Sequence, residues 1–475
     1  MLLNIDRRWL ALIILCLGDL MIALDMTVVN VALPSIKADL AFSETSLVWV
    51  VNAYLLTYGG FLLLGGRLGD FYGNRRMYLL GIILFTLSSL GCGLAQSQGV
   101  LIFARAVQGL GGAVVSAVAL ALIMNLFTEA GERAKAMGVF GFVMSGGGSV
   151  GVLLGGLLTD ALNWHWVFLV NIPIGVGVYV LTVMLLSNDR GLATGRLDVA
   201  GAVSVTLSLM LAVYAIVNGN EVGWSSGQTI VLLGLAVVLL GLFLWIEARV
   251  SSPLMPLGLF RLRNIAVSNV VGVLWAAAMF AWFFVSALYL QQVLGYTPMQ
   301  VGLAFLPPNL IMGAFSLGLS AKMVMRFGIR GPMALGLLLA AAGLALFAFS
   351  PVDGSFMLHV LPGMLLLGLG AGMAFNPVLL AAMSDVAPSE SGLASGVVNT
   401  SFMMGGSLGL AVLASLAAAH TGELLSEGVD LPVALNGGYQ VAFMIGALCA
   451  AAAAVLGAVL LRPGQVSQES ASSAH

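Results

Sequence analysis

Long apolar runs, broken by short charged or Pro/Gly-rich stretches, recur along the whole chain, and a helix crossing a lipid core needs about 20 apolar residues. Runs of that length lie near 9–33, 45–65, 77–96, 100–124, 134–158, 166–187, 198–217, 228–247, 264–291, 298–320, 332–349, 356–381, 392–417 and 438–461. The pattern predicts fourteen membrane helices. Arg7 and Arg8 precede the first run, no small-residue cleavage site follows it, and it is longer than the roughly 7–15 residues of a signal-peptide core. It is expected to stay as the first span.

Lys and Arg concentrate in cytoplasmic connections, so alternate connections test the orientation. With the N-terminus inside, the inner segments hold Arg7, Arg8, Arg67, Arg75, Arg76, Arg133, Lys135, Arg190, Arg196, Arg249, Arg261, Arg263, Lys322, Arg326, Arg330 and Arg462. The outer segments hold only Lys37, and Arg105 falls within a span. One helix more or fewer would scramble that alternation. The expectation is a multi-pass protein of the inner (plasma) membrane with both termini cytoplasmic.

Composition narrows the function. Of 475 residues 60% are hydrophobic and 8% charged, where a soluble protein carries about 25% charged residues. Lys+Arg 18 against Asp+Glu 20 leaves no basic face for nucleic acid. Cys16, Cys92 and Cys449 lie far apart in apolar runs, so neither a disulfide framework nor a metal site is expected. The histidines at 165, 359, 420 and 475 are scattered, which argues against a membrane enzyme built on a nucleophile with its base or on a metal cluster. None of Lys37, Lys135 or Lys322 follows a glycine. A G-x-x-x-x-G-K-[ST] phosphate loop is therefore absent, and no nucleotide is expected as the energy source.

A weak internal repeat divides the chain. The segment Gly65-Gly66-Arg67-Leu68-Gly69-Asp70-Phe71-Tyr72-Gly73-Asn74-Arg75-Arg76 follows the second run. Lys322, Gly328 and Arg330 stand after the tenth at the spacing of Arg67, Gly73 and Arg75, with Met325 in the place of Asp70. Two six-helix halves related by a parallel repeat, with substrate between them near the midplane, are the architecture of major facilitator transporters. The expected division is 1–190 as one six-helix bundle, 191–250 as two inserted linker helices, 251–463 as the second bundle and 464–475 as a disordered tail.

Several motifs carry a more specific likeness. They are Leu24-Asp25-Met26-Thr27-Val28-Val29-Asn30-Val31-Ala32-Leu33-Pro34 in the first run, the loop 65–76, and Arg105 with Gln108, Gly109, Gly111 and Gly112 in the fourth. To these add Trp164 through Gly175, Pro253 to Arg261, Gln291 to Pro307, and Pro388 through Ser391, Gly392, Ala394, Ser395, Gly396 and Asn399. With them the chain resembles the fourteen-helix drug:proton antiporter (multidrug efflux) family of the major facilitator superfamily. His165 stands where that family usually has arginine. Gly138, Gly147, Gly151, Gly155 and Gly156 match the spacing of its antiporter motif, but Val152 replaces the proline expected after Gly151. The resemblance implies export of lipophilic, often cationic, compounds against inward proton flow, a monomeric chain in the bilayer, and no cofactor beyond the proton gradient.

Asp19, Asp25 and Arg105 are the ionisable groups well inside spans. A charge at the bilayer centre costs about 2.5–3.5 kcal/mol on insertion scales, so each is expected to face a polar cavity or a partner. At 1.5 Å per residue Asp25 lies ~12 Å and Arg105 ~8 Å from the outer helix ends, which allows an alternating or water-mediated interaction. Asp25 is the first candidate for the proton carrier, since a carboxylate moved between dry and wet surroundings changes its proton affinity. Asp19 sits six residues earlier, ~120° round the helix; the two acids would divide proton and cation binding, or tether neighbouring helices. Arg67, Asp70, Gly73, Arg75 and Arg76 read either as a conformational latch or as a tight turn with topology-setting cations.

Substrate recognition is less legible. Met and Phe number 23 each, which suits an adaptable apolar cavity and equally suits ordinary packing. Candidate cavity residues are Asn30, Tyr54, Tyr58, Gln108, Trp275, Trp282, Asn309, Asn376 and Asn399, while Trp49, Trp164 and Trp166 sit where interfacial anchors are expected. A dedicated exporter of one antibiotic or metabolite, an importer, and a non-transporting sensor stay open as alternatives.

Overall fold

In lipid every backbone N–H and C=O must be satisfied within the chain, and apolar runs without edge partners meet that demand as helices. The structure, a computed structural model, describes residues 7–187, 197–315, 319–386 and 391–462, and among them there is no strand. The expected tail 464–475, Arg190, Arg196, Pro388 and the surroundings of Gly138, Ser391 and Gly392 lie outside the described residues.

The first group of helices comprises α1 (Arg7–Leu40), α2 (Trp49–Tyr72), α3 (Asn74–Gly93), α4 (Gln98–Leu126), α5 (Ala130–Ala161), α6 (Trp166–Leu169) and α7 (Asn171–Leu185). A pair follows, α8 (Val199–Val222) and α9 (Gly227–Glu247). The last group is α10 (Arg263–Leu288), α11 (Pro298–Ala314), α12 (Ser320–Phe327), α13 (Arg330–Ala348), α14 (Leu361–Met383), α15 (Ser391–Ser426) and α16 (Leu431–Leu460). Among the described residues thirteen helical stretches are long and apolar enough to cross a membrane. The fourteenth expected run, 298–320, holds the 17-residue α11 and the start of α12, and residues 316–318 between them lie outside the described set.

Local chemistry sets the helix starts. Ser97 and Ser226 accept the backbone N–H of Val100 and Thr229, and Thr297 and Gln300 form a reciprocal capping box with Pro298 at the first turn of α11. Gly73, at φ +95°, makes the turn between α2 and α3 that a residue with a Cβ rarely adopts.

Side-chain hydrogen bonds sort the helix ends onto two faces. Arg8 meets Glu132 at 2.9 Å, Arg263 Nε donates to Leu460 O, and Arg462 N donates to Asn264 Oδ1 on the face where α1 starts. On the opposite face Gln98 donates to the carbonyls of Leu40 and Ala41, Trp164 Nε1 to Asp39, and Asn436 to Ser350 O. Trp164 is therefore buried against Asp39 rather than facing lipid as an anchor, whereas Trp166 is exposed.

α1 packs on α4, α5 and α7, and α4 on α2 and α3; α10 packs on α14, α15 and α16, and α13 on α14 and α16. Two seams join these groups, α2 against α15 and α5 against α11, and α8 lies along the first seam in contact with both α2 and α15. α9 covers α8 and turns Ile230, Val231, Val237 and Val238 outward, as a lipid-facing helix does.

The glycines of α5 explain the second seam. A Cβ on Gly151 would meet Leu24 O at 3.0 Å, one on Gly155 would meet Val28 O at 2.5 Å, and one on Gly156 would meet Pro298 O at 2.6 Å. Gly147 faces Leu20 and Ala23 in the same way. The spacing thus serves backbone-close contact with α1 and α11. With Val152 in place of proline, α5 runs unbroken from 130 to 161, and Val152 O faces Gly302 of α11. Gly155→Ala is expected to lower stability by about 1–3 kcal/mol through overpacking. Gly141→Ala, with nothing within 4 Å of the added methyl, is expected to be neutral or slightly stabilising. Melting of the purified variants checks this contrast, and equal melting points would contradict the packing argument.

Candidate functional site: a buried ion pair and a half-partnered acid

Asp25 on α1 and Arg105 on α4 are 0% and 1% exposed, so neither charge reaches water. They meet directly, Arg105 Nη1 to Asp25 Oδ2 at 2.5 Å. The contact that depth alone allowed as alternating or water-mediated is direct in this structure. Around it a closed polar network forms. Gln108 Nε2 donates to Asp25 Oδ1 at 2.8 Å and to Ser89 Oγ at 2.8 Å, and its Oε1 accepts from Arg105 Nη1 at 2.7 Å. Asn171 Nδ2 donates to Asp25 Oδ1 at 2.9 Å. Arg105 Nε donates to Val50 O at 2.9 Å, and its guanidinium lies 4.4 Å from the Tyr54 ring centre and 5.6 Å from that of Phe168.

Five helices, α1, α2, α3, α4 and α7, contribute to this one site, with Phe168 of α6 above it. A buried charge tolerates such a place only when paired and hydrogen-bonded, and here both Asp25 oxygens are. Residues 105 and 108, three apart on α4, share a helix face and so reach the same carboxylate.

Asp19 occupies a different environment. Its Oδ1 accepts from Ser116 Oγ at 2.6 Å, while Oδ2, fully buried, has no hydrogen-bond partner. Tyr58 and Tyr78 lie beside it, and Tyr58 stacks on Tyr54 with ring centres 5.8 Å apart. The two acids therefore flank one aromatic pair without sharing a face of α1.

The other sequence candidates separate from this centre. Trp275 and Asn399 line a cleft with Gly272, Phe375, Val398 and Phe402 in the second group of helices. Trp282 packs on Phe283 and Phe305 and leaves its Nε1 unpartnered, and buried Asn309 leaves both amide atoms unpartnered. Asn376 is half-buried on α14. Asn30 bonds back to Met26 O and Thr27 O within α1.

In the loop group, Arg75 Nη2 donates to Val183 O of α7 at 2.9 Å, Arg67 is half-buried, and Asp70 and Arg76 are exposed. Among the described residues no three of His, Cys, Asp and Glu gather as a metal site would require. Sequence reasoning missed Ser89, Ser116 and the role of Asn171. Asn171 lies in the motif 164–175 and was open to discovery; Ser89 and Ser116 carry no local signal.

Two helical bundles, a helix pair along their seam and an acid–guanidinium centre inside one bundle define a membrane transporter of the paired-bundle class rather than an enzyme. The chain belongs to the Major Facilitator Superfamily, whose family profile matches residues 15–410.

Among curated relatives, the puromycin resistance protein pur8 of Streptomyces alboniger is 41% identical, covering 93% of this chain and 89% of the relative. The multidrug resistance protein Stp of Mycobacterium tuberculosis (strain ATCC 25618 / H37Rv) is 39% identical over 89% and 78%, and the cephamycin export protein CmcT of Amycolatopsis lactamdurans is 38% identical over 86% and 85%. Among solved structures, the inward open xylose transporter XylE from E. coli superposes with a TM-score of 0.65 at 15% identity, over 97% of this chain and 98% of that one. A bacterial homolog of the lysosomal transporter Spinster, inward-facing, gives 0.67 at 17%, over 96% and 98%. These structural likenesses concern the fold.

Proposed function

We propose that the chain exports lipophilic, often cationic, drug-like molecules by alternating access, driven by protons moving inward. The observation that carries this reading is the pair of unlike buried acids on α1. Asp25 has both oxygens bonded, one of them to Arg105, and Asp19 keeps one oxygen without a partner. The named relatives, resistance and export proteins, support the direction of transport.

In this reading the chain crosses the inner membrane fourteen times with both termini cytoplasmic. Residues 1–190 and 251–463 form the two bundles, 191–250 supplies the inserted pair, and the protein works as a monomer without nucleotide or other cofactor. Asp70, with Arg67, Gly73, Arg75 and Arg76, acts as a latch on the cytoplasmic side. Asn309, Asn376, Asn399, Trp275 and Trp282 face the substrate from the second bundle, opposite Tyr54 and Tyr58. One charge moving down 100 mV releases ~2.3 kcal/mol, which together with a pH difference sustains a large substrate gradient.

Reconstituted vesicles test the proposal. An imposed acidity difference is expected to drive dye movement against its gradient and to do nothing in protein-free vesicles; transport indifferent to the imposed difference would overturn it. A second reading, export of a single antibiotic, is favoured by the puromycin and cephamycin names among the relatives. Competition among unrelated dyes and drugs separates the two, because a dedicated exporter is inhibited by one scaffold alone.

A further inference from the structure

Away from α1, the inserted helix pair buries two more acids. Asp198, the N-cap of α8, is 5% exposed and Glu247, the last residue of α9, is 3% exposed. Each uses one oxygen to accept a backbone N–H: Asp198 Oδ1 from Gly201 at 2.8 Å, Glu247 Oε2 from Met255 at 3.1 Å. The remaining oxygens, Asp198 Oδ2 and Glu247 Oε1, have no partner. Both lie within 3.0 Å of the point where a Cβ on Gly201 would stand, so they face one another across a residue without a side chain. The two carboxyl groups are within hydrogen-bond reach of each other.

Leu197 and Leu254, beside Asp198 and Met255 in sequence, belong to an apolar cluster with Leu64 and Leu68 of α2 and Ala202. The charge acting on Glu247 is that of Asp198. Arg249, two residues on, turns over the Trp245 ring at 4.5 Å. The other charged side chains of the packed elements, Arg67 and Asp70 on α2 and Arg261 beyond the connection, make no ion pair with either acid among the described residues. Two buried carboxylates in contact, with no ion pair to either among the described residues, cannot both stay ionised. A single proton between the free oxygens removes the repulsion and completes the missing hydrogen bond.

We propose that Asp198 and Glu247 form a carboxyl–carboxylate site that binds one proton, separate from the α1 acids, and so fastens the inserted helix pair to the segment leading into the second bundle. The fastening runs through Glu247, whose second oxygen holds Met255 N. It rests on the geometry of the insert and not on the direction or coupling of transport.

Infrared spectroscopy and melting in lipid nanodiscs, with neither substrate nor gradient, test it. Wild type is expected to show, beside any band from Asp19, a protonated-carboxyl stretch at neutral pH that is missing from Glu247→Gln and from Asp198→Asn, the latter keeping its helix cap because Asn also caps. The folded state then holds a proton that the unfolded chain releases, so stability falls as pH rises. Across that range the unfolding constant of wild type is expected to climb up to tenfold per pH unit more steeply than that of Glu247→Gln. If Glu247→Gln does not fold, Asp198→Asn serves the same comparison. Equal bands in wild type and both variants would overturn the proposal, as would melting that tracks added sodium or magnesium rather than pH, which would mark a cation site. Dye efflux in vesicles is scored separately, so failure here leaves the export reading standing.

Discussion

An Arg105→Ala protein is expected to lose about 3–5 kcal/mol of folding stability and all coupled efflux, because removing one member of a buried pair strands the other charge. Asp25 would keep its bonds from Gln108 and Asn171, two neutral donors, and lose the guanidinium at 2.5 Å. The vacated space also unstacks Tyr54 and frees Val50 O. Arg105→Lys keeps a charge but neither the bond from Nε nor the planar stack, and is expected to fall between. Pairing Arg105→Ala with Asp25→Asn removes the stranded charge and is expected to recover much of the melting temperature while efflux stays absent. That split between folding and transport is the informative readout. Wild-type melting in Arg105→Ala would show that the pair contributes little and that the network holds without it.

The fold was legible because the bilayer imposes a simple rule. Runs of about 20 apolar residues and a one-sided Lys/Arg bias need no knowledge of tertiary contacts, and the described helices fall within the predicted runs or extend them. Arg105 and Asp25 were legible for the same reason, since a charge in an apolar run stands out. Their direct contact was not, because it depends on the rotation of α1 against α4 and on Asn171 arriving from α7. The glycines of α5 showed as a repeat, but that Gly151 and Gly155 face α1 while Gly156 faces α11 is settled only by packing. Asp198 and Glu247, about 50 residues apart at helix ends, carry no local signal in the sequence. Only the folding of α8 on α9 sets them face to face.

Asp19→Asn is expected to abolish proton release on substrate binding while leaving the protein folded and able to bind. The reasoning starts from the oxygens. Both Asp25 oxygens are occupied, one by Arg105 and one by two amides, so a proton arriving there competes with donors already in place, one of them a guanidinium. Asp19 Oδ2 has nothing to break. Its position beside Tyr58, which stacks on Tyr54 over Arg105, places it where a cation lodging among those rings would favour its ionised form by charge pairing. Substrate entry and proton departure then become one event. The isosteric amide keeps an oxygen for Ser116 and carries no exchangeable acid, so binding and melting are expected to stay near wild type. Asp25→Asn differs: its amide nitrogen would replace an oxygen that accepts from Arg105 or from Gln108 and Asn171, and the variant is expected to lower both stability and binding. Purified protein in weak buffer with a pH dye gives the comparison directly. Release of the same proton count by Asp19→Asn and wild type would return the coupling role to Asp25, and would leave the free oxygen at Asp19 as a feature of packing.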